Sequence, residues 1–118
     1  MTGFESMEIE IQKWLLDAHK ASQAIQEFLK EKDYEDYSQD LMLSSAVERQ
    51  FEILGEALKR IRDKDEEFLE TSITGWRGAI SFRNILAHGY DHLDDEIIWG
   101  IIEDDLPVLI ESIQDHLE

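Results

Sequence analysis

A chain of 118 residues and 13.8 kDa with 42% apolar residues is one domain's worth of sequence, 1–118, long enough to bury roughly two-thirds of its unfolded surface without staples. It has no cysteine, which excludes disulfides, thiolate zinc sites, iron–sulfur clusters and cysteine nucleophiles together and fits a reducing cytoplasm. No basic-then-apolar leader opens it, and its longest apolar run, Ile97 to Ile102 around Gly100, falls far short of the about 18 residues of a membrane span. A cytoplasmic protein without a membrane segment is the expectation.

The first helix is expected over roughly residues 5–30, where Ile11, Trp14, Ala18, Ala21, Ile25 and Phe28 recur at steps of three and four, the mark of one buried helix face. The polar stretch Glu31 to Ser38 breaks the pattern and reads as a turn, with Ser38 as N-cap of the next helix. That second helix runs to about Arg62 on Leu43, Val47, Phe51, Leu54, Leu58 and Ile61. Gly55 inside it costs about 1 kcal/mol relative to alanine, so its missing side chain is read as room for a neighbouring helix to approach.

Thr74 is the expected N-cap of a third helix over about residues 75–88, and Gly89 is its C′ residue. Asp94 caps a fourth, with Asp95 and Glu96 in the first turn at the positive end of the dipole. Pro107 falls inside the apolar pattern Ile98, Ile101, Ile102, Leu106, Leu109, Ile110, Ile113, Leu117 and is expected to kink this helix by removing a hydrogen bond and crowding the preceding turn. There is no strand periodicity, linker or repeat. The expected architecture is all-α, an antiparallel bundle of four main helices with the last kinked at Pro107.

The net charge of −17, taken whole, argues against nucleic-acid binding, since phosphates are met by clustered Lys and Arg. The charge is unevenly spread, however: residues 1–48 carry −7, residues 49–83 are neutral, and residues 84–118 carry −10 with no Lys or Arg at all. Phosphate-binding glycine loops, nucleophile elbows and Ser–His–Asp arrangements are missing. A di-iron bundle needs Glu-x-x-His pairs, and none of His19, His88, His92 or His116 has a glutamate three residues before it. His88 and His92, four apart beside Asp91, Asp94 and Asp95, would make a metal face on a continuous helix; Gly89 is expected to end the helix between them, so no metal or other cofactor is assigned. His19 and His116 read as surface residues.

What remains is Ser81-Phe82-Arg83-Asn84-Ile85-Leu86-Ala87-His88-Gly89-Tyr90, an Arg-x-x-x-x-His-x-Tyr pattern at the end of the third helix. Arginine plus histidine is a minimal kit for cleaving RNA without a metal: an imidazole takes the proton of a ribose 2′-OH, and a guanidinium stabilises charge growing on the phosphate oxygens. A five-residue offset sets the two side chains about 140° apart on a straight helix. Aiming both at one phosphate then needs either distortion at the helix end or a two-fold dimer that joins two copies of the motif. The plainer alternative is that Arg83 pairs with surplus carboxylates, His88 caps the helix and Tyr90 covers its end.

Over nearly its full length the chain resembles the HepT-like branch of the HEPN superfamily, helical toxins paired with minimal nucleotidyltransferase antitoxins. The resemblance rests on Ala46-Val47-Glu48-Arg49, Ile53-Leu54-Gly55-Glu56-Ala57-Leu58, Trp76-Arg77, the Arg83–Tyr90 motif, and Ile97-Ile98-Trp99 with Asp105-Leu106-Pro107. It implies that Arg83 and His88 are the ribonuclease residues and that Asn84 is the polar residue following the arginine. It also implies a homodimer whose cleft joins two motifs, metal-free cleavage leaving a 2′,3′-cyclic phosphate, and silencing when the nucleotidyltransferase partner moves AMP from ATP to Tyr90. In a dimer, the cations Lys59, Arg60, Arg62, Lys64, Arg77 and Arg83 are expected to line one neutral-to-basic face. Two non-enzymatic alternatives stay open: a helical binding subunit of a nucleotidyltransferase complex, and an acidic dimerisation module.

Overall fold

A 26-residue helix opens the fold because an apolar stripe faces one way along it. The computed structural model describes residues 3–88 and 94–117, with side chains from residue 9 onward. Helix α1 (Gly3–Phe28) buries Ile11, Leu15, Ala18, Ala21 and Ile25. Leu29, just past its end, completes that face, whereas Phe28 is exposed, one position off the stripe.

The stretch expected as a turn contains a helix of its own, α2 (Tyr34–Gln39). Asp33 caps it in a reciprocal box: its carboxylate accepts from the Asp36 N–H at 2.8 Å, and the Asp36 carboxylate accepts from the Asp33 N–H at 3.0 Å. Asp40, not Ser38, caps the long helix α3 (Leu41–Ser72), accepting from the Leu43 N–H at 3.1 Å. Ser38 instead turns its hydroxyl back onto the Glu35 carbonyl within α2. The expected end near Arg62 is visible as a break rather than a stop. Asp65 leaves helical geometry (φ −158°, ψ 81°), and its side chain caps the final turns by accepting from the Phe68 N–H.

Helix α4 (Trp76–Ala87) starts after Gly75, whose φ of 87° is the left-handed region that favours glycine. Thr74 gives no side-chain cap; its N–H donates to Ser112 Oγ at 2.9 Å, and that hydroxyl donates in turn to the Ser72 carbonyl at 2.9 Å. The fourth helix is split. Asp94 caps α5 (Asp95–Gly100) as expected, by accepting from the Glu96 N–H at 2.8 Å, then a π-helical turn covers Ile101–Asp105, then α6 (Leu106–Gln114) follows. Pro107 is the cause: its ring crowds the carbonyl four residues back, and the chain answers with the wider five-residue bond from Leu106 N–H to Ile101 O.

The helices form a bundle without strands among the described residues. Lys64 of α3 pairs with Glu10 of α1 at 3.2 Å, while Phe51 of α3 meets Phe82 of α4 edge to face at 4.9 Å. Together with the Arg77–Glu70 pair at 2.9 Å, these contacts set α3 antiparallel to both neighbours. Leu15, Ile25, Leu54, Leu58, Ile61, Leu69, Ile98, Leu106 and Ile113 are sealed in one core. His116, expected at the surface, instead ties the ends together: its carbonyl accepts from Gln12 Nε2 at 2.8 Å, and its ring stands edge-on to Phe68. His19 is half-buried, and its Nε2 is closed off from solvent.

At the α2 end Tyr37 is fully buried against Trp99 at 5.7 Å, with Tyr34 on the same indole. Burial, then Glu48 and then Asp95 push the Tyr37 phenol far above its ordinary range. The Glu48 carboxyl is raised by burial first, then by Asp95 and Glu52.

Two expectations follow for stability. Ser112→Ala removes both links between α6 and the α3–α4 corner and lowers unfolding free energy by about 1 kcal/mol, read by urea titration. Because the Glu48 pKa is higher folded than unfolded, its contribution to stability is present below the ordinary glutamate range and is lost as pH rises through the raised value. Glu48→Gln therefore melts higher than wild type near neutral pH, and the gap closes by about pH 3.5, below the ordinary glutamate range. Equal melting temperatures at both pH values would contradict this.

Candidate functional site

The site begins with a residue that has no side chain. A Cβ at position 55 would overlap Arg83 Cβ, lie 2.8 Å from Arg83 Cγ and reach within 3.0 Å of the Ala79 carbonyl oxygen. Only glycine lets α4 settle this close to α3, and what settles there is the stem of Arg83. The predicted close approach at Gly55 is therefore correct, and its occupant is the candidate catalytic arginine itself.

The next residue fixes the guanidinium. Arg83 Nη2 lies 2.9 Å from Glu56 Oε2, with both side chains only about a third exposed or less. Arg83 Nη1 donates to Asn84 Oδ1 at 3.2 Å. The planar fork is thus oriented from two sides, and N–H donors remain over for a phosphate. Glu56 also faces Arg60, whose Nε is 3.7 Å from Oε1, so two guanidiniums share one carboxylate. Sequence reading gives Glu56 no role of its own; the available signal is a helix-interior glycine followed directly by a carboxylate with an arginine four residues on.

His88 is the C-cap of α4, exposed, with φ −83° and ψ 0° and its N–H donating to the Asn84 carbonyl at 3.1 Å. The helix is regular up to that point, so the five-residue offset keeps its full rotation of about 140° and a rise of about 7.5 Å. Distortion before the helix end does not swing His88 toward Arg83. Tyr90, with Gly89 and His92, lies outside the described residues. No group of three or more metal-binding side chains occurs among the described residues.

Around Arg83 the helices leave a groove of about 450 Å³ lined by α1, α3 and Arg83 of α4. Lys20, Arg49, Arg60 and Arg83 line it with Asp17, Glu52 and Glu56. Outside the groove, Arg62 pairs with Asp63, Lys64 with Glu10, and Arg77 with Glu70 while stacking on Trp76 at 4.7 Å. Of the six cations expected together, only Arg60 and Arg83 line the groove. Lys20 and Arg49, from outside that set, complete it.

The family profile described as ribonuclease HepT-like matches residues 18–115. The chain belongs to the HepT-like family. Similar proteins include "Probable ribonuclease HepT" of Thermococcus cleftensis, 35% identical across 81% of this chain and 86% of its own length. Another is "Putative RNase MJ1380" of Methanocaldococcus jannaschii, 30% identical across 89% and 94%. A second protein of that organism, "Putative RNase MJ0127", is 27% identical across 92% and 88%. No solved structure gives a significant match. The profile match takes in every residue of the groove except Asp17.

For this HepT-like chain, Gly55→Ala forces α4 off α3 and costs about 1–3 kcal/mol of stability, as overpacked cores do. The expected readout is a lower melting temperature together with changed exchange kinetics of the Arg83 Nε–H. An unchanged Arg83 resonance would show that the guanidinium is not placed by this contact.

Proposed function

We propose that this chain is a metal-independent endoribonuclease, the toxin of a toxin–antitoxin pair, with Arg83 and His88 catalytic and Asn84 supporting. The carrying observation is that Arg83 is held by Glu56 and Asn84 within a cation-lined groove, five residues before an exposed histidine. Membership in a family described as ribonucleases supports the same reading.

In the proposed reaction the His88 imidazole accepts the 2′-OH proton as general base. The 2′-oxygen attacks phosphorus, the bond to the 5′-oxygen breaks, and that oxygen leaves with a proton taken from water. A 2′,3′-cyclic phosphate and a 5′-hydroxyl remain. Arg83 stabilises the charge that builds on the non-bridging oxygens. The regular backbone up to His88 favours a homodimer or higher homo-oligomer, in which a two-fold axis brings Arg83 and His88 to one phosphate from facing helices. Control by a minimal nucleotidyltransferase antitoxin belongs to the same proposal. The Tyr90 oxygen attacks the α-phosphorus of ATP, pyrophosphate leaves, and the added AMP sets bulk and negative charge beside the motif.

The test is cleavage of end-labelled cellular RNA in EDTA by protein made without its partner, with DNA as control. Wild type is expected to cut RNA alone, and Arg83→Ala and His88→Ala to lose at least about a hundredfold in rate, while both variants stay folded. Folded wild type, shown by mass to be unmodified, that fails to cut would overturn the proposal. A second reading, a non-catalytic binding subunit of a nucleotidyltransferase complex, is favoured by the Arg83–Glu56 pair taken as an ordinary structural contact. It requires that His88→Ala disturb assembly rather than turnover.

A further inference from the structure

The geometry points to the α1–α3 groove as the track for the RNA strand that adjoins the scissile bond, with Arg49 and Lys20 binding its phosphates beyond Arg83. This rests on the ribonuclease reading above and extends it to a second set of residues.

Three observations carry it. The chain as a whole is −17, yet this groove gathers four cations against three carboxylates. It is positive where the molecule is overwhelmingly negative. That excess is concentrated near Arg83, because Arg60 and Arg83 divide the single carboxylate of Glu56 between them. With exposed charges screened beyond about 8 Å at physiological salt, the local balance rather than the net charge governs a phosphate that has entered.

The cations also come from different elements. Lys20 stands on α1, Arg49 and Arg60 on α3, and Arg83 on α4, so they border a channel rather than mark one helix. From Arg49 to Arg60 the rise along α3 is about 16 Å, room for more than one phosphate along a strand. Ala21 and Ala57 line the groove too, and their small side chains leave depth between the charged rims. A volume of about 450 Å³ is room for a segment of single strand. Arg49 pairs with Glu52 at 3.1 Å at an exposed position, the kind of contact worth at most about 1 kcal/mol, so a phosphate can displace it.

The experiment uses an uncleavable 2′-O-methyl RNA oligonucleotide, followed by fluorescence anisotropy, and cleavage kinetics on the same sequence as RNA. Lys20→Ala and Arg49→Ala touch neither Glu56 nor Arg83. Each is expected to weaken binding about fivefold, the effect of one exposed charge contact, and to raise KM with kcat nearly unchanged. Glu52→Gln, which releases Arg49, is expected to tighten binding. Lys32→Ala, an exposed cation outside the groove, serves as control and leaves both measurements as in wild type. If Lys20→Ala and Arg49→Ala bind and cleave as wild type while His88→Ala is inactive, the groove assignment falls and the ribonuclease reading stands. If wild type neither binds nor cleaves RNA, the ribonuclease reading falls and the groove assignment with it.

Discussion

The placement of Arg83 depends on the absence of one side chain. Gly55 lets α4 lie so close to α3 that the arginine's stem passes directly over the backbone, and the carboxylate of the next residue then meets its guanidinium. An ion pair this exposed contributes at most about 1 kcal/mol to stability. Its effect is geometric, because it removes the rotational freedom of a long side chain and turns a planar fork in one direction. Packing and chemistry are therefore specified by adjacent residues on one helix.

The excess of acid has an internal use. Asp33, Asp40, Asp65 and Asp94 each accept from a backbone N–H at the start of a helical segment, where a carboxylate satisfies an orphan donor and complements the dipole. Cations, by contrast, are absent from the last turns of the helices. Arg62, Lys64 and Arg77 are committed to ion pairs, and Lys20, Arg49, Arg60 and Arg83 gather in the α1–α3 groove. This division leaves a strongly acidic protein with a locally cationic surface: carboxylates anchor helix starts, and part of the positive charge lines one groove.

Much of the fold is legible in the sequence because long helices announce themselves by period. The faces of α1 and α3, the break after Arg62, the capping by Asp94 and the disturbance at Pro107 all follow from spacing and from residue chemistry. Short elements are not legible. In α2 only Tyr37 is buried, too few apolar positions to show a period, and its box uses Asp33 and Asp36 where Ser or Thr with Glu is the familiar form. Spacing alone puts Phe28 rather than Leu29 on the buried face, because a helix end gives no following turn against which to check phase. At the site, the Arg83 pattern and the role of Gly55 are visible in sequence. The roles of Glu56 and Arg49 are not, since which α3 side chains face Arg83 and the groove depends on how the helices are rotated against one another, which no single-helix pattern records.

The π turn before Pro107 changes how the end of the chain is to be counted. In an unbroken α-helix Leu106 would stand about 80° around from Ile98 and Ile110 about 120°, so the stripe Leu106, Leu109, Ile110, Ile113 would be centred well to one side of Ile98. The wider turn at Ile101–Asp105 absorbs one residue of rotation, and both stripes are buried together. Asp105, which simple counting places inward, is exposed. The segment behaves as a one-residue insertion already accommodated: a homologous chain lacking a single residue here would keep the same core contacts. Equivalent positions on either side of it correspond only when a gap of one is placed within the turn.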